Sequence, residues 1–125
     1  MTEGRALFDP QVIHTLARNL GNNALALRFL SDYLTLLPRR KSRILKAIRD
    51  DDPEAAMDAI LSLKIASSMV GAHDAEDRSL VLQSLVTNGH LEQSRPEATA
   101  LGAAIDALVI EGPGILAALQ PHLSA

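Results

Sequence analysis

The chain has 125 residues, 47% apolar and only 2% aromatic, with a net charge of −3 and no cysteine. That length suffices for one domain with one core; the charge gives no bulk attraction to nucleic acid or an anionic membrane, and disulfide and thiolate chemistry are excluded. No signal-peptide pattern opens the chain, and its unbroken apolar runs fall far short of the roughly 18–20 residues of a membrane span, so a soluble cytoplasmic protein is expected.

Leu, Ala, Glu, Arg and Lys favour helix, and runs of β-branched residues are missing, which makes an all-α domain the expectation. Residues 1–8 read as an N-terminal arm whose Leu7 and Phe8 tuck onto the body. Asp9-Pro10 is an N-cap followed by a first helical position, Val12, Ile13, Leu16 and Leu20 recur at helical spacing, and Gly21 ends a short helix over 10–20. Asn22 caps the next helix. Its apolar positions Ala26, Leu30, Tyr33, Leu37, Ile44 and Ile48 keep phase across Pro38, so one long kinked helix over 23–50 is predicted.

Asp52-Pro53-Glu54 opens the third helix, which runs to Val70 and stops at Gly71. Ala56, Ile60, Leu63, Ser67 and Val70 form its inward stripe. Asp74 is the expected cap of a fourth helix whose apolar side is Leu80, Val81, Leu85 and Val86, ended by Asn88-Gly89. Ser94-Arg95-Pro96-Glu97 fits a capping box for a fifth, with Leu101, Ile105 and Leu108 inward. Gly112-Pro113-Gly114 should interrupt that helix, leaving Ile115, Leu116 and Leu119 in a short last helix before a frayed end at 121–125. Short connections make sequential helices antiparallel. The predicted architecture is an up-down four-helix bundle with an extra short N-terminal helix, in a single domain over 1–125.

Catalytic signatures are missing. His14, His73, His90 and His122 lie in different elements, with no paired i, i+4 spacing, so neither a metal site nor a cofactor is expected. No nucleophile elbow or phosphate-binding loop is present, and no enzymatic centre is expected. Arg39, Arg40, Lys41, Arg43, Lys46 and Arg49 form a basic run. It reads as a solvated helix end complementing the helix dipole, or as a docking patch for an acidic protein. Nucleic acid is disfavoured, because no aromatic residues interleave the cations.

In the third helix, Leu61, Lys64, Ile65 and Ser68 share one face at i, i+3, i+4 and i+7, beside the inward stripe. Either Leu61 and Ile65 are at least partly exposed as an apolar interaction patch, or this helix is buried nearly all round.

The segment Leu61-Ser62-Leu63-Lys64-Ile65-Ala66-Ser67-Ser68-Met69-Val70-Gly71-Ala72 resembles the motif of histidine phosphotransfer (HPt) domains, His-x-Leu-Lys-Gly-Ser-Ser followed by Gly-Ala after three further positions. Leu63, Lys64, Ser67, Gly71 and Ala72 match in register. Phe29 and Tyr33 near the start of a long helix, a basic stretch and an acidic turn before the motif helix match the family's layout. The resemblance implies a helical bundle with a face that docks a response-regulator receiver or a histidine kinase domain. Two departures touch the chemistry. Leu61 stands where the family carries its phosphoacceptor histidine, and Ile65 stands where a glycine leaves room for the phosphoryl group. The expected function is therefore a non-catalytic HPt-like interaction module, with Leu61, Lys64, Ile65, Ser68, Arg39, Arg40 and Arg43 on its binding face. Alternatives are a phosphorelay carrier using a non-equivalent histidine and a self-associating bundle, that is, a homodimer.

Overall fold

Cap chemistry sets the ends of the first three helices. The computed structural model describes residues 7–124 and contains α1 (Pro10–Leu20), α2 (Asn23–Arg49), α3 (Pro53–Val70), α4 (His73–Thr87) and α5 (Leu91–Ser124), with no strand among the described residues. Residues 1–6 of the expected arm, and Ala125 of the expected frayed end, lie outside them. The Asp9, Asn22 and Asp52 side chains accept from free N–H groups at the starts of α1, α2 and α3. Gly21 and Gly71 close α1 and α3 in left-handed conformations, with φ of +68° and +72°.

The helices form the predicted all-α up-down bundle. α2 packs against α3 and α5, α4 packs against α3 and α5, and α1 lies across α2 and α3. The predicted stripes of α2 and α3 are buried throughout. Pro38 leaves α2 continuous, as its unbroken apolar phase requires. Phe8 is buried, its ring edge-on to Tyr33 at a centroid distance of 6.1 Å. The Tyr33 hydroxyl and Ser67 Oγ share a buried hydrogen bond of 2.7 Å that joins α2 to α3. Burial pushes the Tyr33 phenol up to about 12, with the Ser67 bond opposing.

Three expectations are corrected. First, Asp74 does not cap α4: Gly71 and Ala72 alone connect α3 to α4, Ala72 occupies the cap position without a side-chain bond, and Asp74 pairs with Arg78 instead. Secondly, the core side of α4 is Ala75, Ser79, Leu82 and Val86, while Leu80 and Val81 face outward. That stripe has helical spacing, but two of its four members are small, so the larger outward residues mask it.

Thirdly, α5 begins at Leu91 and runs unbroken through Pro96, Gly112-Pro113-Gly114 and Pro121. Ser94 is buried and bonds back to the Leu91 carbonyl instead of capping. Buried positions Ser94, Ala98, Leu101, Ile105, Leu108 and Gly112 continue one stripe toward Pro113, with Ile115, Leu116 and Leu119 packed on the core beyond it. An interior proline costs about 3 kcal/mol, and each large apolar side chain fully buried contributes about 1.5–3 kcal/mol, so packing on α2 outweighs the break. Gly112 allows that contact, since a Cβ there would overlap the Leu34 side chain. The same helix, over Leu91–Pro121, reaches a mean hydropathy of 1.6 and is by length and composition apolar enough to cross a membrane. The sequence reading of short apolar runs does not register this; within the fold, its Leu101, Ile105 and Leu108 side chains belong to the core.

Asp9 ties three helices together. Its amide N–H donates to the Gly71 carbonyl at 3.0 Å, and its carboxylate caps α1 and meets His73 Nε2 at 2.9 Å. Glu76 flanks His73 Nδ1 at 3.5 Å. A Cβ on Gly71 would sit 2.8 Å from the Asp9 Cβ and 2.9 Å from its backbone nitrogen, whereas one on Gly21 meets open space. Gly71→Ala is therefore expected to lower stability by more than the roughly 1–2 kcal/mol that left-handed backbone alone costs an alanine, and Gly21→Ala by no more than that. Chemical denaturation of the two variants reads the difference.

The Asp9 hydrogen bond, aided by Glu76, raises the His73 pKa above its usual 6.5. The His73 hydrogen bond, aided by the Gln11 N–H, lowers that of Asp9 below 3.8. The histidine contribution is complete below its unfolded pKa and is lost as pH rises through its higher folded value. The aspartate contribution is complete above its unfolded pKa and is lost as pH falls through its lower folded value. Stabilisation by the pair should thus be greatest between about pH 4 and 6.5 and decline toward pH 8. His73→Gln should flatten that decline in a series of thermal melts.

Tyr33→Phe should cost about 1–2 kcal/mol by leaving the Ser67 hydroxyl buried and unpaired. A double-mutant cycle with Ser67→Ala should recover part of that loss in urea unfolding.

Candidate functional site

The face of α3 opposite its buried stripe is only partly covered. Ile65 is 58% exposed and Met69 41%, Ser68 is exposed, and Leu61 is half-buried. Leu61 is thus neither a core residue nor a freely projecting one. α3 is not buried all round, and an apolar surface patch centres on Ile65. Across the α3–α4 seam, Leu80 and Val81 add 55% and 48% exposed apolar side chains. On the α2 side, Leu36 is 39% exposed.

Lys64 does not stand free beside this patch. Its Nζ donates to Gln83 Oε1 of α4 at 2.8 Å, an interaction no sequence spacing announces. Two turns earlier on α3, Met57 Sδ accepts from the Thr87 hydroxyl at 3.7 Å, so α3 and α4 are laced along this seam. Ser67, which matches the motif serine, is fully buried and bonded to Tyr33, so it serves packing.

The basic run divides. Lys41 binds Asp106 of α5 at 2.8 Å, Arg43 binds Asp58 of α3 at 3.1 Å, and Lys46 and Arg49 both approach Asp50. These cations hold the bundle's own carboxylates. The predicted patch of Arg39, Arg40 and Arg43 therefore keeps two unpaired members. Arg39 is exposed, and Arg40 is half-buried with its Nη1 atom enclosed and unpartnered.

Among the described residues, the exposed α3 face carries no imidazole. Leu61 offers only hydrocarbon. His73 lies beyond the end of α3, at the start of α4 after the Gly71-Ala72 connection, and is held by Asp9 and Glu76. His14 is exposed on α1, and His90 is exposed in the α4–α5 connection. No group of three or more His, Cys, Asp or Glu able to hold a metal occurs among the described residues. What the arrangement can do is bind: an exposed apolar patch, flanked on one side by two unpaired guanidinium groups.

Sequence reasoning missed Gln83 as the partner of Lys64 and Leu80 as part of the outward surface. It also missed the groove in which Arg40 lies. The signal for Leu80 was present, because the 75, 79, 82, 86 spacing excludes it from the core face. For Gln83 and the groove there was none, since both depend on how neighbouring helices are aligned.

No protein-family model matches this sequence, and no curated protein matches it. Among solved structures, the chain is similar to the HPt domain of the Hpt sensor hybrid histidine kinase from Shewanella. The TM-score is 0.74 at 21% identity, over 95% of this chain and 97% of that one. At that identity the likeness establishes a common fold: this chain has the helical bundle of an HPt domain.

Proposed function

We propose that the chain is a non-catalytic module of a phosphorelay, which docks a receiver or histidine kinase domain through the α3 face without accepting phosphate. The observation that carries this reading is the apolar surface at Leu61 and Ile65, where the motif resemblance would put an imidazole and the space beside it. The HPt-like fold gives that surface a precedent as a meeting place with receiver domains. Lys64, tied to Gln83, holds the α3–α4 seam, and Ser68 lies on the exposed face. Arg39 and Arg40 supply positive charge on the α2 side for an acidic partner, which assists encounter and orientation. The intended setting is the cytoplasm, where such relays operate.

Incubation with phosphorylated receiver domains of the same cell should leave no acid-labile phosphate on this chain. Phosphate on any of His14, His73, His90 or His122 would overturn the reading. Ile65→Asp should weaken binding of the cognate receiver or kinase by about tenfold or more, equivalent to about 1.4 kcal/mol, while the helical circular dichroism stays unchanged. Leu61→Asp should weaken it too, with some loss of stability because Leu61 is half-buried. Unaltered binding in both variants would dismiss this face as the docking surface.

A further inference from the structure

A cavity of about 130 Å³ lies in the groove between α2 and α3, lined by Phe29, Asp32, Tyr33, Leu36, Arg40 and Ala66. Four of those residues are apolar or aromatic. One is an arginine whose Nη1 is shut off from solvent and makes no hydrogen bond within the chain. A buried guanidinium donor without an acceptor is unfavourable, so nothing inside the chain holds this side chain; Arg40 is only half-buried and lines the cavity, and its accessible guanidinium nitrogens can form a strong charge-assisted bond with a carboxylate entering there. Asp32 lines the same groove two turns away on α2 and leaves Nη1 unbonded.

We propose that this groove is a socket for one Asp or Glu side chain of a docked protein partner, with Arg40 as its anchor. The inference rests on the docking reading above and specifies the partner's chemistry. A carboxylate fits better than a phosphate, because a dianion would bring twice the charge toward Asp32. The aliphatic stem of an Asp or Glu suits walls made by Phe29, Leu36 and Ala66. A protein source follows from the rim: Leu36, Ile65 and Met69 are exposed apolar side chains that a free small acid would leave uncovered. The partner therefore carries an acidic residue within an apolar surface.

The test labels the full chain uniformly with ¹⁵N and titrates it with the N-methylamide of N-acetylglutamate, with the matching glutamine derivative, and with inorganic phosphate. The glutamate compound should produce a saturable shift of the Arg40 Nε–H resonance, and the glutamine compound none. Asp32→Asn should tighten that response. Arg40→Met keeps most of the side-chain volume and removes an unpaired donor, so it should fold; in it, the accompanying amide shifts at Leu36 and Ala66 should vanish. No saturable shift, an equal response to glutamine, or a stronger response to phosphate overturns the socket. With the receiver or kinase, Arg40→Met should weaken binding by about tenfold or more. If Ile65→Asp weakens binding and Arg40→Met does not, the docking face stands and the socket falls. If neither variant matters, the docking face falls and the glutamate titration alone decides the socket.

Discussion

Three helices meet at Gly71, and they meet there because that residue has no Cβ. Its left-handed backbone ends α3, and its carbonyl accepts from Asp9 at the head of α1. One further residue, Ala72, completes the connection to α4. A connection that short leaves α4 no freedom except to fold back along α3. The consequences reach the surface: Gln83 comes to Lys64, Thr87 to Met57, and Leu80 to the edge of the exposed α3 face. The Gly-Ala pair at the end of the motif thus shapes the candidate docking surface without taking part in it.

A second constraint acts from the α2 side. The Tyr33–Ser67 bond and the Arg43–Asp58 pair both join α2 to α3, one inside the core and one outside. Between them they align the two helices so that Arg40 falls into a groove instead of open solvent. The surface pairs stabilise little individually, being exposed and screened. Their larger effect is subtraction: Lys41, Arg43, Lys46 and Arg49 face carboxylates of the bundle itself, and within the basic run Arg39 and Arg40 are left without one.

The helix ends show how much of the fold was legible. Where a polar cap, a proline and a glycine agree with the apolar period, as in α1 and α3, or where the Asn22 cap and the apolar period agree, as in α2, sequence and structure coincide. Where local signals conflict with period, the period wins. Ser94-Arg95-Pro96-Glu97 looks like a helix start and Gly112-Pro113-Gly114 like a helix break, yet both lie within one stripe that keeps phase from Ser94 to Gly112. Phase likewise carries α2 across Pro38. In α4 residue size and burial diverge: Ala75 and Ser79 are small and face the core, while the larger Leu80 and Val81 face outward.

What the sequence by itself determined is the helical class, the caps of α1, α2 and α3, the inward stripes of α2 and α3, and the hydrocarbon side chain at position 61, because each depends on residue type and on spacing within one helix. What only the tertiary structure decided is the half-burial of Leu61, the capture of Lys64 by Gln83, the self-pairing of most of the basic run, and the enclosure of Arg40. Those depend on the alignment of one helix against another, which one-dimensional periodicity does not encode.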